Sequence, residues 1–158
     1  MRIAIYPGTF DPITNGHVDI LSRAVSLFDT VIVAVAKNST KDPLFTERER
    51  LAMIGEAVKM FPNVVIDSFT GLLVHYAQKK QAVAVVRGLR AISDFEYEFQ
   101  LALMNRKLNA AIETVFLMPN EKYTYLNSSI VREVARLKGD VGELVPAVVN
   151  AALKKKFR

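Results

Sequence analysis

The run Thr30-Val31-Ile32-Val33-Ala34-Val35-Ala36 constrains this chain more than any other stretch. It is uncharged, rich in β-branched residues and shows no polar alternation, so neither of its faces is built for water. Such a run reads as a strand buried on both sides, the environment of a parallel sheet covered by helices. The rest of the chain agrees with that requirement. Ile3-Ala4-Ile5, Val64-Val65-Ile66 with Phe69, Val83-Ala84-Val85-Val86 and Thr114-Val115-Phe116-Leu117-Met118 are further short apolar runs, separated by segments of helical period.

Local signals mark several helix ends. Val18, Ile20, Leu21, Ala24, Val25 and Phe28 follow a 3.6-residue period behind Gly16 and His17. Thr46 with Glu49 predicts a capping box, and so does Ser93 with Glu96 ahead of a long helix through Phe99 and Leu108. Gly71 to Ala77 predicts a shorter helix and Ser128 the start of another. Gly139 is a stop, and Pro146 suits the first turn of a final helix. Alternation of this kind predicts a single domain over 1–158. It would be a doubly wound, Rossmann-like α/β fold: a five-stranded parallel sheet, helices on both faces, and C-terminal helices. Ligands of such sheets bind beyond the carboxyl ends of the strands, where strand order reverses. The chemically unusual segments all follow strands: Gly8 to His17, Lys37 to Lys41, Gly71 to Leu73, Arg87 to Arg90 and Tyr123 to Ser129. They are expected on one rim.

Several chemistries are excluded at once. With no Cys there is no disulfide, thiolate zinc site or thiol catalysis, and the two histidines are too few for a His-rich metal centre. The seven glycines never form Gly-x-Gly, Gly-x-x-x-x-Gly-Lys-Ser/Thr is absent, and so is Gly-x-Ser-x-Gly. No apolar run approaches the roughly 18 residues of a membrane span, and Met1 to Tyr6 lacks a signal peptide's long apolar segment and cleavage site, so a cytoplasmic, non-membrane protein is expected. The net charge of +5 permits anionic partners. Its basic residues are dispersed and Trp is absent, so nucleic-acid binding is not expected.

Tyr6-Pro7-Gly8-Thr9-Phe10-Asp11-Pro12-Ile13-Thr14-Asn15-Gly16-His17 joins the first strand to the first helix. A helix start offers unpaired N–H groups and the positive end of the helix dipole, and so attracts anions. Thr-x-Gly-His in that position resembles the nucleotidyltransferase superfamily, marked by His-x-Gly-His or Thr-x-Gly-His after the first strand. Arg87-Gly88-Leu89-Arg90-Ala91-Ile92-Ser93-Asp94-Phe95-Glu96-Tyr97-Glu98 narrows the match. Together the two segments, and the length of the whole chain, resemble the phosphopantetheine adenylyltransferase family.

The resemblance implies a reaction, 4′-phosphopantetheine plus ATP giving dephospho-coenzyme A and pyrophosphate with Mg²⁺, by direct in-line attack of the substrate phosphate on the ATP α-phosphate. It implies catalytic roles for His17, Lys41 and Arg90, with His17 at the α-phosphate and Lys41 on the reacting phosphates. Thr9, Lys41, Leu73 and Arg87 match substrate contacts. Thr9, Phe10, His17, Gly88, Leu89, Arg90 and Glu98 match ATP contacts, as does the loop Tyr123, Thr124, Tyr125, Leu126, Asn127, Ser128 and Ser129. That loop departs from the family's Ile-Ser-Ser-Ser/Thr at Leu126-Asn127. No protein ligand to the metal is assigned. A homohexamer and feedback by coenzyme A are implied as well.

Physics gives these residues ordinary alternatives. Glu98 on a long helix is by default a solvated carboxylate, and Asp11 would bond nearby amides of its own turn. His75, inside an apolar helix, reads as packing, and Ser128 or Ser129 as a helix cap. Sister enzymes acting on nicotinamide mononucleotide or glycerol phosphate, and a nucleotide-sensing module without turnover, are the competing functions.

Overall fold

The computed structural model describes residues 1–37, 42–90 and 92–158. Five parallel strands alternate with helices: β1 (Ile3–Gly8), α1 (Asn15–Leu27), β2 (Thr30–Ala36), α2 (Glu47–Ala57), β3 (Val64–Phe69), α3 (Leu73–Lys79), β4 (Ala84–Gly88), α4 (Ile92–Leu108), β5 (Glu113–Leu117), α5 (Ser128–Arg136) and α6 (Ala147–Lys156). A 3-10 turn, Glu121–Tyr123, lies between β5 and α5. The sheet order is β3-β2-β1-β4-β5. The chain therefore builds outward from β1 through β2 to β3, then crosses back to β4 on the other side of β1. That reversal opens a crevice between the carboxyl ends of β1 and β4, which run paired at Ala4 with Ala84 and Ile5 with Val85.

The two-sided burial read from β2 is observed. Val31, Val33 and Val35 face one core with Ala4, Tyr6, Ala84 and Val86, closed by α1, α2, α5 and α6. Ile32 and Ala34 face the opposite core with Ile5 and Val85, covered by Tyr76 and Ala77 of α3. On that same face Phe99, Ala102 and Leu103 of α4 border a small cleft with Thr114 and Phe116 of β5. Fully burying one Val or Ile contributes about 1.5–3 kcal/mol, so these alternating positions hold the sheet between its helix layers.

Thr46 caps α2 with the expected box: its hydroxyl accepts from Glu49 N and the Glu49 carboxylate accepts from Thr46 N. The second expected box is not formed. Backbone helix already begins at Ile92, so Ser93 lies inside the first turn of α4 and cannot be its cap. At α5 the cap is Asn127, whose side chain accepts from Ile130 N at 2.8 Å, and neither serine. Pro146 sits one position earlier than expected, as the N-cap of α6. His75 is exposed on α3 rather than packed. α3 turns Val74, Tyr76 and Ala77 inward, and that leaves position 75 on the opposite face.

Candidate active site

The crevice ends in a cavity of about 140 Å³. Tyr6, Pro7 and Gly8 of β1, Arg87 and Gly88 of β4, Gly16, His17 and Ile20 of α1, and Glu98 of α4 line it, with Arg90, Pro119, Tyr123 and Leu126. Three of the expected anion-binding groups, His17, Arg87 and Arg90, thus share one pocket. The fourth, Lys41, lies outside the described residues.

His17 is fixed by its own helix cap. The Thr14 hydroxyl accepts from His17 N, and Thr14 N donates to His17 Nδ1 at 2.9 Å, so the imidazole fills the place that Glu or Gln takes in an ordinary capping box. An amide can only donate. Nδ1 must therefore be the unprotonated nitrogen, and the neutral ring carries its hydrogen on Nε2. Burial, then the Arg90 and Arg87 guanidiniums, lower the ring's pKa from its ordinary 6.5 to about 3. The site holds a neutral imidazole whose remaining polar atom is an N–H donor.

Phe10 and Tyr6 hold the ring from the side, with Phe10 edge-on at 5.0 Å between centroids. Gly8 is required here for a reason inside the protein: a Cβ would meet the Phe10 ring at 3.0 Å. Phe10 is itself buried and takes a left-handed backbone, φ 49°.

The arginines are held by acids on α4. Arg87 Nε and Nη2 donate to the two Glu98 oxygens at 2.8 and 2.6 Å, a bidentate pair that is mostly shielded from water. Glu98 is therefore neither a solvated surface group nor an isolated ligand; it orients Arg87. Arg90 Nε pairs with Asp94 at 3.1 Å, and its Nη1 donates to Leu126 O at 3.3 Å.

The loop before α5 divides. Tyr123 and Leu126 face the cavity, whereas Tyr125 is exposed and the Thr124 hydroxyl donates to Glu121 O. Ser128 Oγ donates to Pro12 O at 2.7 Å, and Ser129 Oγ accepts from Arg132. Leu89 donates its amide to Leu117 O and, like Thr9 and Leu73, is not among the residues facing the cavity. Leu73 packs against the α3-side core, and the Thr9 carbonyl accepts from Arg50. Asp11 corrects the expectation of a local turn bond. Its carboxylate accepts from Leu44 N and Phe45 N at 2.8 and 2.9 Å, more than thirty residues away. Ile20 and Pro119 complete the wall and carry no sequence signal that would single them out. Thr14, the first residue of Thr-x-Gly-His, is also the cap of α1, a role signalled by a Thr just ahead of an apolar-periodic helix.

A small cavity at the switch point of a doubly wound sheet, lined by an imidazole donor and two guanidiniums, defines a nucleotidyltransferase-type site. Comparison with known proteins agrees: the cytidylyltransferase-like family model matches residues 5–134. Phosphopantetheine adenylyltransferase of Alkaliphilus metalliredigens is 55% identical over 156 residues, spanning 99% of each chain. That of Opitutus terrae is 57% identical over 157 residues, spanning 99% of this chain and 98% of the relative. The chain belongs to the phosphopantetheine adenylyltransferase family. At the level of fold it is similar to a solved structure assigned as a nicotinate-nucleotide adenylyltransferase from Vibrio parahaemolyticus. That likeness has a TM-score of 0.73 at 18% identity and covers 98% of this chain and 99% of the other.

Proposed function

We propose that the chain transfers the AMP unit of ATP to 4′-phosphopantetheine, giving dephospho-coenzyme A and pyrophosphate. A phosphate oxygen of the acceptor attacks the α-phosphorus, the bond to the β-phosphate oxygen breaks opposite it, and pyrophosphate leaves with the electron pair. The nucleophile is already ionised near neutral pH, so the protein needs no strong base. It has to bring anions together and stabilise charge that builds on the α-phosphate oxygens.

The observation that carries this reading is His17, a neutral imidazole with its Nε2–H left to donate, beside Arg87 and Arg90. We assign Nε2–H to the α-phosphate, Arg90 to the ATP phosphates, and Arg87, held square by Glu98, to the acceptor's phosphate. Lys41 is assigned to the reacting phosphates on the strength of the family resemblance. The cavity is smaller than the roughly 300–1,000 Å³ of whole-ligand clefts, so it takes the reacting phosphates and leaves the rest of both molecules over the rim. Gly88, Tyr123 and Leu126, which line the cavity, are assigned to the nucleotide side. Among the described residues no three His, Cys, Asp or Glu side chains gather around a common point. Mg²⁺, which the family resemblance implies, is read as part of the incoming nucleotide complex, held mainly by the triphosphate and water, with no step assigned to a protein ligand.

Pyrophosphate release from ATP in the presence of phosphopantetheine, nicotinamide mononucleotide or glycerol phosphate tests the assignment. Release with phosphopantetheine alone is expected. Release only with another acceptor, or ATP binding without release in any, would replace it with a sister activity or a binding module. Three properties implied by the resemblance belong to the same reading. A homohexamer is supported by the exposed apolar side of α4, including Phe95, Phe99, Leu103, Met104 and Leu108, and a monomer in sedimentation would refute it. Feedback by coenzyme A, the later form of the same product, would show as competition with phosphopantetheine. A cytoplasmic location fits the substrates, and among the described residues no helix is long and apolar enough to cross a membrane.

A further inference from the structure

Two charged side chains, Asp11 and Arg50, are fully buried among the described residues, and neither lines the cavity. Arg50 is the more unusual. It is 3% exposed, its Nε finds no acceptor, and no carboxylate among the described residues forms an ion pair with it. Burying a cation with an orphaned donor costs stability, so the position calls for a reason beyond packing. Its side-chain hydrogen bond among the described residues supplies it: Nη1 donates to the Thr9 carbonyl at 2.8 Å. A second guanidinium does the same one residue beyond Phe10. Arg132 Nη1 donates to the Asp11 carbonyl at 2.6 Å, while its Nη2 donates to Ser129 Oγ.

Phe10 and Asp11 lie between those two carbonyls, and Phe10 holds the left-handed conformation that a non-glycine side chain adopts only under constraint. Left unrestrained, an aromatic residue would leave φ 49° for the extended or right-handed basin. Its ring would then swing away from Gly8, Tyr6 and His17, against which it packs. Arg50 comes from α2 and Arg132 from α5, so helices on either side of the segment clamp it.

We propose that Arg50 and Arg132 are positioning residues for His17: by fixing the carbonyls on both sides of Phe10 they hold its left-handed backbone, and the Phe10 ring holds the imidazole. The inference rests on the assignment of His17 to the α-phosphate for its catalytic consequence, but the positioning itself is measurable without substrate. A misplacement of about 1 Å at a reacting group can cost a hundredfold in rate, so loss of either clamp should lower kcat by roughly ten- to hundredfold. Arg50→Met should leave KM for ATP within about threefold, because Arg50 touches nothing in the cavity. Arg132→Gln should lower kcat and raise KM for ATP together, since Ser129 loses its partner too.

The deciding readout is the ¹⁵N and ¹H signal of the His17 ring in the substrate-free full chain. Displaced or broadened ring signals in Arg50→Met support the clamp. A ring signal at the parent position overturns it, whatever happens to kcat. Should Arg50→Met not fold, Arg50→Lys, which keeps a cation, and Arg132→Gln, at a half-exposed position, carry the same measurement with the same two outcomes. If the parent enzyme fails to release pyrophosphate while the ring signals still shift, the functional reading falls and the clamp stands.

Discussion

Replacing Asp11 by Ala removes a carboxylate that ties the loop before α1 to the entrance of α2. Its two oxygens accept the amides of Leu44 and Phe45 at 2.8 and 2.9 Å, and one lies 3.9 Å from Arg132. The Phe45 bond is buried, so that amide would lose its acceptor with no water to replace it, at about 1–3 kcal/mol. The Leu44 amide is partly accessible and should cost about 0.5–1.5 kcal/mol, the net worth of an ordinary hydrogen bond. Arg132 keeps its bond to the Asp11 carbonyl and is a third exposed, so its lost ion pair adds little. The total is about 3 kcal/mol. For a chain of this size each kcal/mol shifts Tm by about 2–4 °C, so a drop of roughly 6–12 °C is expected. Calorimetry and urea unfolding on the same sample measure it, with an unchanged urea slope expected. Asp11→Asn should lose less, since one carbonyl oxygen remains to accept. A Tm within about 1 °C of the parent for Asp11→Ala would refute the reasoning, because two amides would then have found other partners.

Other predictions follow from the same geometry. Burial and the two arginines keep His17 neutral in the folded chain down to about pH 3, while the unfolded chain protonates it below about 6.5. The unfolded state binds more protons in that window, so His17 contributes a stability loss as pH falls from about 6.5 toward 3. Urea unfolding at pH 7 and pH 5 should therefore show the parent losing more stability than His17→Gln; equal losses would contradict the shifted imidazole. Glu98→Gln breaks the bidentate hold on Arg87 and should raise KM for phosphopantetheine about tenfold, near 1.4 kcal/mol, with kcat falling less. An unchanged KM would detach Arg87 from the acceptor. Lys41→Ala should cut the transfer rate strongly with the fold intact, and parent-like turnover would remove that lysine from the site.

The order of elements was legible because it depends on local pattern. The β-branched run of β2 marks a strand whose observed limits match, since it buries side chains on two faces, whereas β3, an edge strand with Val65 exposed, starts where its apolar triplet does and runs on to Phe69. Thr46 and Glu49 are three residues apart and need no distant partner to form their box. Three of the four anion-binding groups could be placed on one rim because each follows a strand of the same parallel sheet. What stayed hidden is long-range. Asp11 reads as a turn residue until the amides of Leu44 and Phe45 are brought to it from across the sheet. Glu98 reads as solvent-facing until β4 sets Arg87 beneath α4. Arg50 looks like one more charge in Glu47-Arg48-Glu49-Arg50, and only tertiary packing takes that one of the four out of water. Ser93 shows the opposite failure: a capping pattern correct in spacing is overridden when the helix begins two residues sooner.

The account depends on His17 giving its Nε2–H to an α-phosphate whose charge grows in the transition state. Single-turnover transfer by His17→Ala, alongside an independent titration of ATP binding, measures that most directly. Loss of one such donor is worth about 10²–10³ in rate, so kcat should fall by that factor while the Kd for ATP stays within about threefold. A parent-like rate with weakened ATP binding would mean that His17 grips the ground state only, and the mechanism would be wrong.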